Sequence, residues 1–348
     1  MFKNIIFILS ISLFFSCSKN NDVNNDGVEI NKGGVFIANE GNFSVANSSL
    51  SYYYPSASKI TNSIFYQVNN VPLGDVAQSI TINNQLIYVV INNSGLIYAI
   101  DSKTLEFKGK INDLTSPREI IFINDQKAYV SDLYSSAITI VNPVSYEITG
   151  TIELGKSSDC MVKFDDKVMV ANWSAYNQTG INNTIMVVDS DTDVVSDSIV
   201  VGIEPNSMVI DKEDHLWVLC SGGFMNDEMP TLWKINPQTL EILKQLTFTD
   251  IQNSPDNLCI NGTGDSLYFL NNGVFAMSIN SQQLPDNVLI DEANRNYYSL
   301  GVHPVEKDIY VSDALDYNRN GMVYRYSSNG ILISSFEVGI IPGYFAFN

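Results

Sequence analysis

Apolar and polar residues alternate along most of this chain in short runs, and no stretch keeps helical spacing for more than a turn. Short runs bounded by Gly, Pro, Asn and Asp predict strands joined by tight turns. The runs also recur. Each unit has a turn, often with proline, a short apolar strand, a brief polar turn and a second strand ending in a polar residue. A longer loop then leads to a third strand, a tight turn and a fourth. SPREIIFINDQKAYVSD (116–132), EPNSMVIDKEDHLWVLCS (204–221) and SPDNLCINGTGDSLYFLNN (254–272) are copies of the first half. IYAIDSKTLEFKGKI, ITIVNPVSYEITGTI, IMVVDSDTDVVSDSI and LWKINPQTLEILKQL are copies of the second. Phe36, Tyr88, Tyr129, Met169, Trp217, Tyr268 and Tyr310 anchor the second strands at spacings of about 40 to 52 residues, the repeat length of a four-stranded propeller blade. The matched turns make Asp189, Asp191 and Asp193 turn formers rather than calcium ligands.

The two ends complete the count. GVFIANE (34–40) matches a second strand, so the first unit lacks its innermost strand. IPGYFAFN (341–348) matches a first strand with nothing after it. Pairing the two gives an all-β, seven-bladed β-propeller over residues 33–348, with no open edge at the junction.

The first residues depart from this pattern. Lys3, an apolar run from Ile5 to Phe15, then Ser16 and Cys17 form the order of a secretory signal peptide over residues 1–16, too short to span a membrane. A cysteine directly after the small residue predicts lipidation at Cys17, as in bacterial lipoproteins. Residues 17–32, with Asn20, Asn21, Asp22, Asn24, Asn25, Asp26 and Gly27, read as a flexible polar tether. The expected place is the outer membrane, exposed at the cell surface, with the lipid as the membrane anchor. The net charge of −19 repels phosphate backbones and argues against nucleic-acid binding. Three cysteines remain beyond Cys17, and their odd number in an oxidising compartment predicts buried free thiols at Cys160, Cys220 and Cys259.

In a propeller the loop leading into each innermost strand and the loop between second and third strands open on one face. Those loops here are rich in aromatic and amide side chains, and Arg118 is their obvious cation. Phe43, Tyr134, Trp173, Tyr176, Phe224, Tyr298, Tyr317 and Tyr344 supply broad faces. Gln78, Asn92, Asp132, Asn172, Asn206 and Asp256 supply hydrogen bonds. Such a set suits a bulky, partly apolar, hydrogen-bonding ligand. Trp173, in the middle of a polar loop, is the leading contact.

Signs of catalysis are thin. His215 and His303 both lie in turns on the other face, neither with a partner at metal-ligand spacing. No CxxCH haem motif is present, and a serine triad would lack its histidine at the mouth. The expectation is a protein without cofactor or catalytic residues. One enzymatic alternative is a calcium-dependent, lactonase-like hydrolase with the ion held by Asn206, Asp159, Asp256 and Glu119. A protein-interaction or adhesion module is another. Asp22-Asn24-Asp26-Gly27 and Asp316-Asn318-Asn320-Gly321 partly match a calcium loop, but Gly33 and Ser327 stand where its glutamate belongs.

GVFIANEGNF, PLGDVAQSITI, VINNSG, LTSPR, YVSDLY, ANWS, GIEPNS, LWVLCSGG, INGTGDSLYFLNNGVF, YVSDALDY and VGIIPG occur in that order. With this series the chain, over residues 34–348, resembles the YncE-like propeller lipoproteins of Bacteroidota. Their best understood relatives are BtuG-type surface lipoproteins, which capture vitamin B12 and pass it to a TonB-dependent outer-membrane transporter. The resemblance implies ligand capture, with a corrinoid as the favoured ligand and such a transporter as partner. The contact residues named above come from loop position, not from the resemblance.

Overall fold

The computed structural model describes residues 28, 30–176 and 178–348. The expected signal peptide, the lipidation site Cys17, most of the tether and the first calcium-loop match lie outside the described residues. The rest forms seven four-stranded antiparallel sheets, closed into a seven-bladed β-propeller.

Closure follows the sequence reading. The C-terminal strand Pro342–Phe347 is the innermost strand of blade one, paired with Val35–Asn39; Val35 faces Phe347 and Ile37 faces Phe345. The Gly33 N–H donates to Asn348 O, and the Asn348 N–H to Gly34 O. Blades two to seven follow in chain order, their innermost strands being Ala77–Asn83, Pro117–Asn124, Met161–Phe164, Pro205–Ile210, Asp256–Ile260 and Tyr297–Val302. All seven predicted anchors lie in second strands and are buried.

The core is a set of seams rather than a centre. Each of seven apolar clusters joins two neighbouring blades, because a blade sheet is apolar on both faces and covers each against a neighbour. The closing seam packs Tyr53 on Phe336, with ring centroids 4.0 Å apart, and adds Tyr310 and Phe345 from blade seven and the C-terminal strand.

The recurring third-to-fourth turns share one mechanism. Asp101, Asn142, Asp189 and Asn236 each accept two backbone N–H bonds through Oδ1, from the residues two and three positions on. The fifth residue of each turn, Leu105, Tyr146, Asp193 and Leu240, has positive φ. An Asx side chain replacing backbone acceptors explains why only Asp or Asn opens these turns. Asp316 accepts the Asn318 and Arg319 N–H groups in the same way, so the second calcium-loop match is a turn.

Two features differ from expectation. A six-residue helix, Ile64–Asn69, follows blade one and buries Ile64 and Phe65 in the first seam. The docked chain also begins before residue 33: Val28 and Ile30 pack on that seam, and the Asn31 N–H donates to the Tyr52 hydroxyl.

The three thiols are free. Burial pushes Cys259 up to about 12 and also raises Cys160 and Cys220, with Glu119 and Asp159 adding to the effect at Cys160. A thiolate is the reactive form, so all three are expected to resist alkylation in native protein at pH 8 and to react once unfolded. Mass spectrometry after a short iodoacetamide pulse checks this; native labelling of any of the three would contradict it.

Candidate functional site

Innermost strands start at one face of the ring, and the second strands end there. This geometry gathers seven lead-in segments and seven loops around one mouth. His215 and His303 sit in first-to-second turns, on the opposite face.

Side-chain hydrogen bonds stitch the mouth from blade to blade. The Ser79 hydroxyl of blade two donates to Arg118 O of blade three at 2.7 Å. The Met161 N–H of blade four donates to Glu119 Oε2 of blade three at 3.0 Å. The Leu258 N–H of blade six donates to Ser207 Oγ of blade five, and Asn257 Nδ2 of blade six to Tyr298 O of blade seven. The Tyr298 hydroxyl donates across the closure to Glu40 Oε1 at 2.9 Å. Each bond ties neighbouring sheets, so the lining is fixed by the ring itself.

Arg118 spans three blades. Its Nε and Nη2 donate to the two carboxylate oxygens of Asp159, at 2.9 and 3.3 Å, and its Nη1 donates to Gln78 Oε1 at 2.6 Å. The guanidinium lies 5.4 Å from the centre of the Trp173 ring. Burial opposes its charge, but the Asp159 carboxylate, with smaller contributions from Glu40 and Glu119, more than offsets that and holds the guanidinium protonated. The mouth's predicted cation is therefore already neutralised by a partner.

Three carboxyls are held near neutrality. Burial pushes Glu40 up to about 7, against the downward pull of the Tyr298 hydroxyl and Arg118. Burial does the same to Glu119, also about 7, with Asp159 adding to it and the Met161 N–H and Arg118 opposing. Asp256 reaches about 7 through burial, helped by Glu292 and opposed by Asn257. Burial raises the Tyr298 and Tyr344 phenols as well, so both stay protonated. Gly343 lies against Glu40: a Cβ there would stand 2.4 Å from Glu40 Oε1, so a larger residue would have to displace that carboxyl.

The predicted contacts thus divide. Arg118, Gln78, Tyr298, Tyr344 and Asp256 lie near the start of innermost strands and Trp173 on a second-to-third loop, all at this end of the ring. Arg118 brings Gln78 and Trp173 together. Tyr134 and Tyr176 form an exposed pair on the rim, ring centroids 4.5 Å apart, and Tyr317 stands edge-on to Tyr298. Phe43 and Phe224 are strongly exposed, at 69 % and 88 %. Phe224 sits on a loop held by Glu204, which accepts the Phe224 N–H and the Ser221 hydroxyl, with Met225 exposed beside it.

Four predicted polar contacts serve the loops instead. Asp132 is buried and accepts the Ser116 and Tyr134 N–H groups on its two oxygens. Asn172 is buried and bonds Ser157 and Gln178. Asn92 donates to Ser116 Oγ and Pro117 O, and Asn206 to Pro255 O. Glu40 was not among the predicted contacts; its signal was an acid directly after a second strand in an aromatic-rich loop set. Asp159 and Glu119 are engaged by Arg118 and Met161, and among the described residues no three His, Cys, Asp or Glu side chains group to hold a metal ion.

A family described as a domain of unknown function, DUF5074, matches residues 33–347. No curated protein matches in sequence. Among solved structures, the fold is similar to a quinoprotein alcohol dehydrogenase-like protein from Bacteroides thetaiotaomicron (TM-score 0.68, 13 % identity, 91 % of this chain and 78 % of that one). It is also similar to a protein from Lactobacillus plantarum (TM-score 0.66, 13 % identity, 91 % and 100 %). A third is the periplasmic gluconolactonase of Pseudomonas aeruginosa (TM-score 0.66, 11 % identity, 90 % and 98 %). At these identities the likeness is one of fold.

Proposed function

From the premise that this chain belongs to the DUF5074 family, we propose that it captures a bulky, largely uncharged, hydrogen-bonding small molecule at the mouth of its ring. In this reading it is a lipoprotein anchored through Cys17 at the cell surface, and it passes its ligand to a TonB-dependent transporter. A corrinoid is the favoured ligand. The observation that carries the reading is the chemistry of the lining. Arg118 is neutralised by Asp159, three carboxyls titrate near 7, and an indole and two phenols supply flat apolar faces. A broad macrocycle with apolar edges and peripheral amides matches such a surface, since amides both donate to and accept from carboxyl and phenol groups.

Titration of the purified propeller with cyanocobalamin, followed by absorbance, is expected to give a Kd of about 1 μM or tighter. Trp173→Ala and Tyr298→Phe are each expected to weaken binding by roughly tenfold, through loss of a stacking face and of a polar contact. Absence of binding at micromolar concentration removes the corrinoid. Protease shaving of intact cells tests the location: surface exposure requires that the protein be digested while the cells stay whole.

A further inference from the structure

The chain has four arginines, and three of them pair with carboxylates: Arg118 with Asp159, Arg319 with Asp316, and Arg325 with Asp308 and Glu306. Arg295 makes no ion pair among the described residues, in a protein with 38 acidic side chains against 19 basic ones. It lies at the seam of blades six and seven, where the chain passes from Ile290–Asp291 to the innermost strand Tyr297–Val302. Its surroundings are phenols. The guanidinium is 4.4 Å from the centre of the Tyr324 ring, and its Nη1 is 3.5 Å from the Tyr297 hydroxyl. That hydroxyl is 2.9 Å from the hydroxyl of Tyr326.

The nearest acids in sequence are turned to the backbone. Asp291 Oδ1 accepts the Ala293 N–H, and Glu292 Oε1 accepts the Tyr297 N–H. Of the five N–H donors on a guanidinium, one meets the Tyr297 hydroxyl at the limit of hydrogen-bond distance and the group also hydrogen-bonds Tyr324, while no carboxylate among the described residues pairs with it. A ring beneath the guanidinium fixes its plane, and the donors not turned to Tyr297 and Tyr324 remain for the paired contact by which a guanidinium recognises an oxyanion. Phenol O–H groups next to those donors can donate to the same ligand.

We propose that Arg295, with Tyr297, Tyr324 and Tyr326, forms a binding site for a small oxyanion, a carboxylate or a phosphate, at the seam of blades six and seven. The guanidinium forms the paired contact, Tyr324 orients it, and the Tyr297–Tyr326 hydroxyl pair contributes a further donor.

The test is calorimetric titration of the purified propeller, in low-chloride buffer at pH 7.5, with sodium phosphate and separately with sodium acetate. At least one of them is expected to bind with a Kd of about 1 mM or tighter. The anion that binds identifies the class: phosphate alone a phosphate site, acetate alone a carboxylate site. Arg295→Gln is expected to weaken that binding by about tenfold or more, since it removes the charge and the fork together. Arg295→Lys is expected to fall between the two, because an ammonium keeps the charge without the fork. Thermal unfolding of both variants reports that the ring is intact, and Tyr326→Phe offers a milder probe should Arg295→Gln not fold. Two results overturn the proposal: neither anion binding below about 10 mM, or folded Arg295→Gln and Tyr326→Phe proteins that bind as the wild type does.

Discussion

Removal of Pro342 to Asn348 is expected to abolish the cooperative fold, although it deletes only the last seven residues. Those residues are not a tail. They are the innermost strand of blade one, hydrogen-bonded along Val35–Asn39, with the Glu40 and Gly41 N–H groups donating to Ile341 and Ile340 just before it. Phe345 is part of the closing seam, with Phe347 packed against it, and Ala346 and Tyr344 belong to the next seam, between blades one and two. Each large apolar side chain withdrawn from water contributes roughly 1.5–3 kcal/mol. Three of them, with a strand of backbone pairing, therefore approach the 5–15 kcal/mol that typically stabilises a whole domain. The deletion would also open the edge of Val35–Asn39, a buried apolar strand, to pairing with other chains. Near- and far-UV circular dichroism of the truncated protein should show no cooperative melt, and sizing should show aggregates. Adding a synthetic peptide of residues 341–348 in excess should restore the melt, since the vacant position accepts any strand of matching pattern. A truncated protein that melts within a few degrees of the full chain would refute the closure as the source of stability.

What the sequence revealed and what it hid follow from the range of the interactions involved. Blades were legible because strand alternation and the Asx-opened turns are local, and repetition displayed the same solution several times over. The closing strand was legible because one missing strand at the head and one surplus strand at the tail have a single joint explanation. The helix Ile64–Asn69 was hidden: at six residues it is too short for propensity or periodicity to register, and it forms because Ile64 and Phe65 find a seam to fill. The docking of Val28 and Ile30 was hidden for the same reason, two apolar residues in a polar stretch whose partners lie in blades one and two. At the mouth, loop position identified the right neighbourhood but not each side chain's task. Asp132 is the last residue of a second strand and Glu40 directly follows one. One turns back to cap backbone N–H groups, the other meets a phenol more than two hundred residues away in sequence, and no local pattern distinguishes them. Arg118 was identifiable as the cation of the mouth, yet its neutralisation by Asp159 depends on the approach of blades three and four.

Raising the pH from about 5 to about 9 is expected to destabilise the ring through its mouth, opposite to the usual behaviour of salt-bridged carboxylates. Glu40 and Glu119 titrate near 7 in the folded protein against 4.5 as the ordinary value, and Asp256 near 7 against 3.8. A carboxyl with a raised folded pKa binds its proton more tightly folded than unfolded. Its stabilising contribution is complete below the unfolded value and is lost as the pH climbs through about 7. At about 1.4 kcal/mol per pH unit the two glutamates could each lose up to about 3 kcal/mol by pH 9, and less where water in the channel screens the charge. Asp211 and His303 have lowered values and pull the other way, but their losses come as the pH falls, below about 4 for Asp211 and starting near 6.5 for His303. The loss between pH 5 and about 8 therefore belongs to the mouth, and nearer pH 9 the three thiols, raised from 9 in the fold, begin to add to it. Glu119→Gln keeps an oxygen for the Met161 N–H, and Glu40→Gln keeps one for the Tyr298 hydroxyl, so both should fold while removing the titration. Urea denaturation from pH 5 to 8 should show the wild type losing stability from pH 5 and levelling off just above pH 7, and the Glu40→Gln, Glu119→Gln, Asp256→Asn triple variant losing far less over that interval. Parallel profiles for the two proteins would refute the assignment. The same protons bear on capture: below about pH 7 these carboxyls offer O–H donors to a ligand's amide carbonyls, and above it they present charge, so affinity for an uncharged ligand at the mouth should fall over the same interval.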